Sequence, residues 1–143
     1  MMHVPVFESA VSKVPCEIGR VGENLAAFYL GRLGFDASIV DRRGSDIWCQ
    51  APSGTLFSVE VKTTTKPFTN RPNGYSYESY AFRIQNKKAD QFILVSLDTN
   101  LCRVFSKEML DARWSSSRVV LRSDEFTLDD MSVDFATLAK SYQ

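Results

Sequence analysis

The spacing of apolar and polar positions divides the chain into elements before any chemistry is considered. Over residues 17–33, Ile18, Val21, Leu25, Phe28, Tyr29 and Leu33 recur at helical spacing. They predict one amphipathic helix with a single apolar stripe, stopped by Gly34. Beyond it the pattern turns to strands. Residues 37–41 predict a short strand, 42–45 a tight polar loop and 46–50 a second strand. Ala51-Pro52-Ser53-Gly54 is a turn by composition, and the β-branched and aromatic run 55–63 predicts a third strand. These strands are too closely spaced for crossover helices, so they are expected to meander antiparallel.

Residues 64–79, with two prolines, a glycine and many polar side chains, are expected to form a long surface loop. A short strand follows at 80–84, then a helical turn at 86–90. The continuous apolar run 92–97 suits a buried central strand, with 101–105 as its neighbour. Ser106 is placed to cap a helix running to about Trp114, and 118–122 reads as an edge strand. Ser132 is expected to cap a last helix whose apolar positions are Val133, Phe135, Ala136 and Leu138. With residues 1–14 as a loose arm, the pattern gives one α/β domain with a central mixed sheet flanked by helices.

Composition narrows the function classes. A chain of 143 residues, 44% of them hydrophobic, can bury a core without metal or disulfide staples. Its three cysteines, Cys16, Cys49 and Cys102, form no CxxC pair. A reducing, cytoplasmic setting is therefore expected. No stretch is apolar enough for a signal peptide or a membrane span. The net charge of zero conceals an asymmetry. Residues 123–143 hold Asp124, Glu125, Asp129, Asp130 and Asp134 against Lys140 alone, so this acidic C-terminal extension leaves a mildly basic body.

Residues able to do chemistry gather around Val59-Glu60-Val61-Lys62. On a strand, Phe57, Val59 and Val61 share one face, free to pack under the first helix, while Ser58, Glu60, Lys62 and Thr64 share the other. Asp46 arrives from the preceding strand. A plain two- or four-residue turn sets it opposite Val59; one extra residue, or a bulge of the kind frequent beside active sites, sets it opposite Glu60. An irregularity between Gln50 and Leu56 is therefore expected. Two convergent carboxylates plus the Val61 carbonyl are hard oxygen ligands suited to Mg²⁺, with Mn²⁺ as a substitute. Lys62 is placed to orient or help deprotonate an attacking water and to stabilise charge growing on a phosphoryl group. Glu23, near the edge of the helical stripe, is placed to deliver a third acid. Gly19 and Gly22 are expected to let helix and sheet approach closely.

The ordered set G-x-x-x-E at Gly19–Glu23, G-S-D-I at Gly44–Ile47 and V-E-V-K at Val59–Lys62 resembles the PD-(D/E)XK nuclease superfamily. The resemblance covers roughly residues 19–63, and A-D-x-F-I-L-V-S-L-D from Ala89 to Asp98 looks like the next part of the same core. It implies a restriction-endonuclease-like αβββαβ fold. It also implies that Asp46 and Glu60 bind metal, that Lys62 is the catalytic lysine and that Glu23 assists at the metal. Ser45 departs from the motif, standing where its proline would be. The small relatives with the most similar motifs are archaeal-type Holliday-junction resolvases, which implies a homodimer acting on branched DNA in recombination. Restriction, repair and homing endonucleases are the neighbouring reading.

Arg42, Arg43, Lys66, Arg71, Lys87 and Lys88 flank this site in sequence and are candidates for holding DNA phosphates. Phe68, Tyr75, Tyr77 and Tyr80 are candidates for contact with DNA or a second subunit, and Gln85 for a place along the cleft. Trp48 and Trp114 are expected in the core. His3 is the only histidine, which disfavours a Ser-His-Asp arrangement. No nucleotide-cradling glycine loop is present, so no nucleotide cofactor is expected. The rival from another class is a non-catalytic DNA-binding or regulatory protein on the same scaffold.

Overall fold

The computed structural model describes residues 15–42, 45–71, 74, 76–85 and 87–143. The expected arm at 1–14, with His3, and the positions Arg43, Tyr75 and Asn86 lie outside these residues. Helix α1 (Pro15–Arg32) ends as its sequence dictates. Gly34 adopts φ 89°. The Phe35 N–H reaches the Leu30 carbonyl at 3.1 Å and the Gly34 N–H reaches that of Gly31 at 3.0 Å, the paired bonds of a Schellman closure.

The stripe that α1 buries is rotated from the one its large apolar residues outline. Ala26 and Leu30 are fully buried, with Leu25, Tyr29 and Leu33 packed beside them. Val21 and Phe28 are half exposed, at 50% and 55%. Small residues set this rotation. A Cβ on Gly22 would stand 1.8 Å from Thr63 Oγ1, so the helix backbone lies almost on the sheet at that point. Gly19 faces open space and plays no such part.

Strands β1 (Asp36–Arg42), β2 (Ser45–Gln50) and β3 (Leu56–Thr64) form the expected antiparallel meander. The segment expected as a loop instead begins a second sheet. β4 (Phe68–Asn70) pairs with β5 (Tyr77–Arg83) as an antiparallel hairpin. β6 (Gln91–Ser96) then returns parallel to β3, and β7 (Leu101–Ser106) runs antiparallel to β6. Among the described residues, the strands make a mixed five-stranded sheet, β1-β2-β3-β6-β7, and a three-stranded sheet, β4-β5-β8, whose edge strand β8 spans Arg118–Arg122. The crossover between the parallel neighbours β3 and β6 is therefore this hairpin, and no helical turn is seen over the described part of 86–90. Parallel strands need a long connection, and alternation decides its form: Tyr80, Phe82 and Ile84 all point into the core.

Helix α2 (Lys107–Arg113) begins as expected, with Ser106 Oγ accepting the Met109 N–H at 3.2 Å, and closes at Trp114. After a 3₁₀ turn at Ser123–Glu125, helix α3 (Leu128–Ser141) starts earlier than the sequence suggested. Thr127 is its cap: its hydroxyl accepts the Asp130 N–H at 3.2 Å, and the Asp130 carboxylate accepts the Thr127 N–H at 3.3 Å. Ser132 lies inside the helix and bonds the Leu128 carbonyl. Met131, Phe135 and Leu138 form the buried face, while Val133 is exposed.

Three layers result. One face of the large sheet, with Val59, Val61, Ile93 and Val95, packs under α1 and α3. The other carries Phe92 and Leu94 against Tyr80, Phe82, Val119 and Leu121 of the small sheet and Leu110 of α2. The acidic C-terminal segment is built into this architecture. Asp134 pairs with Arg103 at 2.7 Å, Asp124 pairs with Arg122 at 2.9 Å, and Glu125 pairs with Arg113.

Candidate active site

The turn between β2 and β3 sets the register of the site. It has five residues, 51–55, closed by Ala51 N–H to Thr55 O at 2.9 Å and Gly54 N–H to Ala51 O at 2.8 Å, with Gly54 at φ 92°. That odd length pairs Gln50 with Leu56, and the ladder continues regularly to Ile47 opposite Val59. The next step brings Asp46 opposite Glu60. The expected irregularity is thus one extra turn residue and not a bulge in this ladder. The register shift in the meander lies between β1 and β2, at Ile39–Arg42.

Where the ladder ends, a side chain takes over. Asp46 Oδ2 accepts the Val61 backbone N–H at 2.7 Å. A strand residue's N–H and carbonyl leave by the same edge, so the Val61 carbonyl also points toward the Asp46 side. Glu60 is only 7% exposed. Its Oε1 lies 3.8 Å from Lys62 Nζ, and its Oε2 is buried without a hydrogen-bond partner. Burial pushes the Glu60 carboxyl above the usual carboxylate range; the Lys62 charge opposes this and the Asp46 charge reinforces it. Lys62 is partly exposed at the mouth of the site.

Asp46, Glu60 and Lys62 therefore meet on one face of the large sheet, the face over which the small sheet packs. Glu23 comes from a different element. It follows Gly22 on α1, and α1 covers the opposite face. Among the described residues, no three His, Cys, Asp or Glu side chains form a group able to hold a metal ion. The side-chain donors at the site are two carboxylates, to which the Val61 carbonyl adds a third oxygen.

The basic candidates are spread out. Lys66 lies in the link between β3 and β4, Arg71 follows β4, Lys88 precedes β6, and all three are exposed, as is Gln85. Lys87 is turned inward: its Nζ donates to the Trp114 carbonyl at 2.9 Å and lies 3.5 Å from Asp111. Arg42 closes β1. Tyr80 is a core residue whose hydroxyl donates to Asp98 Oδ2 at 3.0 Å, and the Ser96 hydroxyl donates to the other oxygen of Asp98. Trp114 is half buried, edge-on to Phe105.

Two features escaped the sequence reading. Trp48, expected in the core, is 41% exposed; it alternates with Ile47 and so shares the face of Asp46 two residues away. The signal was present, because Ile47 and Cys49 are the apolar pair of β2. The second is the small sheet, concealed by the prolines and polar residues of 64–79. The Cys49 and Cys102 thiols lie in the core under α1 and not at the site. Cys49 and Cys102 are buried, which pushes Cys49 up to about 12 and Cys102 higher still. Among the described residues, no helix is long and apolar enough to cross a membrane.

No family model and no curated protein matches this sequence. Among solved structures, the chain is similar to a bacterial homing endonuclease, I-Ssp6803I. The TM-score is 0.57 at 16% sequence identity, covering 77% of this chain and 76% of the other. At that identity the two share a fold, a mixed α/β core with helices on a central sheet.

Proposed function

We propose that the protein is a divalent-metal-dependent endodeoxyribonuclease that hydrolyses DNA phosphodiester bonds at Asp46, Glu60 and Lys62. One observation carries the reading: two carboxylates from neighbouring strands face each other beside a lysine, and one of them keeps a buried oxygen with no partner. Like charges held this close favour a cation between them. The motif order in the sequence and the shared fold with a protein described as a homing endonuclease support the same conclusion.

The residues fit Mg²⁺, with Mn²⁺ as a substitute: Asp46 and Glu60 would hold it through their carboxylates and Val61 through its carbonyl. Glu23, on α1, enters as an outer acid. A bound divalent ion supplies Lewis acidity at the scissile phosphate and lowers the pKa of water. The chain does the rest. The Asp46 bond to Val61 fixes one carboxylate relative to the strand that carries the other. Lys62, extending past Glu60 to the open side, orients the attacking water and offsets negative charge building on the phosphoryl oxygens. Lys66, Arg71 and Lys88 offer exposed charge to the DNA backbone.

For the substrate, the proposal takes a four-way junction first, on the motif, and a duplex target second, on the homing endonuclease neighbour. Cutting two strands needs two sites, and hence a homodimer, in either case. The test compares supercoiled, linear and four-way-junction DNA with Mg²⁺ or Mn²⁺. Cleavage that Lys62→Ala abolishes while DNA binding persists is the expected result. Binding without cleavage by the wild-type protein in both metals would establish the non-catalytic rival.

A further inference from the structure

The outer face of the small sheet is unlike the rest of the surface. Tyr80, Phe82 and Ile84 point inward from β5, so the alternate positions Tyr77, Ala81 and Arg83 point outward, with Ser79 on their side of the sheet but fully buried. The register sets Arg83 beside Arg118, Ala81 beside Val120 and Ser79 between Phe68 and Arg122. Three arginines thus ring a small apolar centre, and none of these outward positions is an Asp or Glu. Aromatic rings hold two of the guanidinium groups along the sheet: Arg118 lies 5.4 Å from the Phe68 ring centre and Arg122 lies 4.0 Å from that of Tyr77. Arg122 shares its charge with Asp124. Arg83 and Arg118 are exposed and in no ion pair among the described residues. Both line a shallow cavity of about 340 Å³ together with Ala81, Phe82 and Ser117.

We infer that this face is a backbone-holding surface for duplex DNA, with Arg83 and Arg118 seating a phosphate between them; the inference rests on DNA being the substrate proposed above. Placement supports it. The small sheet packs on the same face of the large sheet that carries Glu60 and Lys62. Only residues 65–67 join β3 to β4, so DNA at the acids lies alongside the small sheet. Charge supports it as well: acids of the C-terminal segment pair with Arg103, Arg113 and Arg122 but leave Arg83 and Arg118 to solvent. Arginine on an aromatic ring is pre-organised for phosphate, and contacts of this kind position DNA without reading its sequence.

The test is a salt titration of binding by the full chain to two duplexes of unrelated sequence, in Ca²⁺ to hold the DNA uncut. The proteins are wild type, Arg83→Gln/Arg118→Gln and Arg83→Lys/Arg118→Lys, with thermal unfolding as the folding control. The glutamine pair is expected to lower the slope of log affinity against log salt by about 1, the share of one phosphate, to weaken both duplexes equally and to leave the unfolding midpoint in place. The lysine pair is expected to restore the slope. A glutamine pair that binds with wild-type affinity and slope overturns the inference, as does one that instead changes the oligomeric state. If the glutamine pair shows the predicted slope change but wild type never cuts in Mg²⁺ or Mn²⁺, the hydrolytic reading fails and this surface stands. If wild type cuts and the glutamine pair binds normally, the reverse holds. Absence of DNA binding by wild type overturns both.

Discussion

Asp46 and Val61 are joined across two strands: the aspartate Oδ2 takes the valine's backbone N–H at 2.7 Å, at the point where the β2–β3 ladder ends. The bond substitutes for a ladder hydrogen bond and fixes the first acid against the strand that supplies the second. Structural and chemical roles of Asp46 are therefore separable. Asp46→Asn keeps an oxygen for the Val61 N–H and is expected to cost less than about 1 kcal/mol, whereas Asp46→Ala leaves that N–H without the carboxylate and costs roughly 1–3 kcal/mol. Both are expected to reduce DNA cleavage by about 10²-fold or more. Urea unfolding alongside single-turnover cleavage checks the separation.

Glu60 is held against its preference for water. Burial, reinforced by Asp46, raises its folded-state pKa above the unfolded value, with Lys62 opposing. The unfolded chain then releases this proton at lower pH than the folded one, so stability is lost as pH rises from the unfolded pKa through the folded one. Glu60→Gln, which carries no charge, is expected to be more stable than wild type at neutral pH, by on the order of 1 kcal/mol. The difference should shrink as pH falls through the raised folded-state pKa toward the ordinary glutamate value of 4.5, and be gone below it. Cleavage is lost at every pH. Thermal unfolding as a function of pH tests the sign; a variant less stable than wild type at pH 7 would contradict it.

The contact that seats α1 gives a third prediction. A Cβ at Gly22 meets Thr63 Oγ1 at 1.8 Å and both Cβ and Cγ2 at 2.9 Å, more than a rotamer change can relieve. Gly22→Ala is expected to destabilise by roughly 1–3 kcal/mol. In a double-mutant cycle, Thr63→Ala should recover part of that loss, giving a coupling of at least about 0.5 kcal/mol.

The start of α3 supplies a fourth. Thr127 caps the helix and Ser132 sits within it. Thr127→Ala is expected to cost about 1 kcal/mol, while Ser132→Ala should stay within about 0.5 kcal/mol of wild type. The opposite ranking in urea unfolding would restore Ser132 as the cap.

What the sequence displayed was whatever rests on local pattern. The β3 alternation placed Glu60 and Lys62 on one face and Val59 and Val61 on the other, and the structure agrees. The Gly34 stop, the Ser106 cap and the antiparallel meander were equally legible. The losses came where a tertiary contact overrode a local signal. The α1 stripe turned because Gly22 and Ala26 allow closer approach than Val21 and Phe28. Residues 64–79 formed a strand pair because β8, distant in sequence, was there to complete the small sheet. The joining of Asp46 to Glu60 was half legible: the pattern identified both residues, but only the five-residue turn settled their register.

The most direct measurement is the anomalous density of a Mn²⁺-soaked crystal of the wild-type protein. The account predicts one peak within coordination distance of the Asp46 and Glu60 carboxylates and the Val61 carbonyl, absent from Glu60→Gln crystals soaked in the same way. A soaked crystal with no peak there, and Glu60 still directed to Lys62, would contradict it.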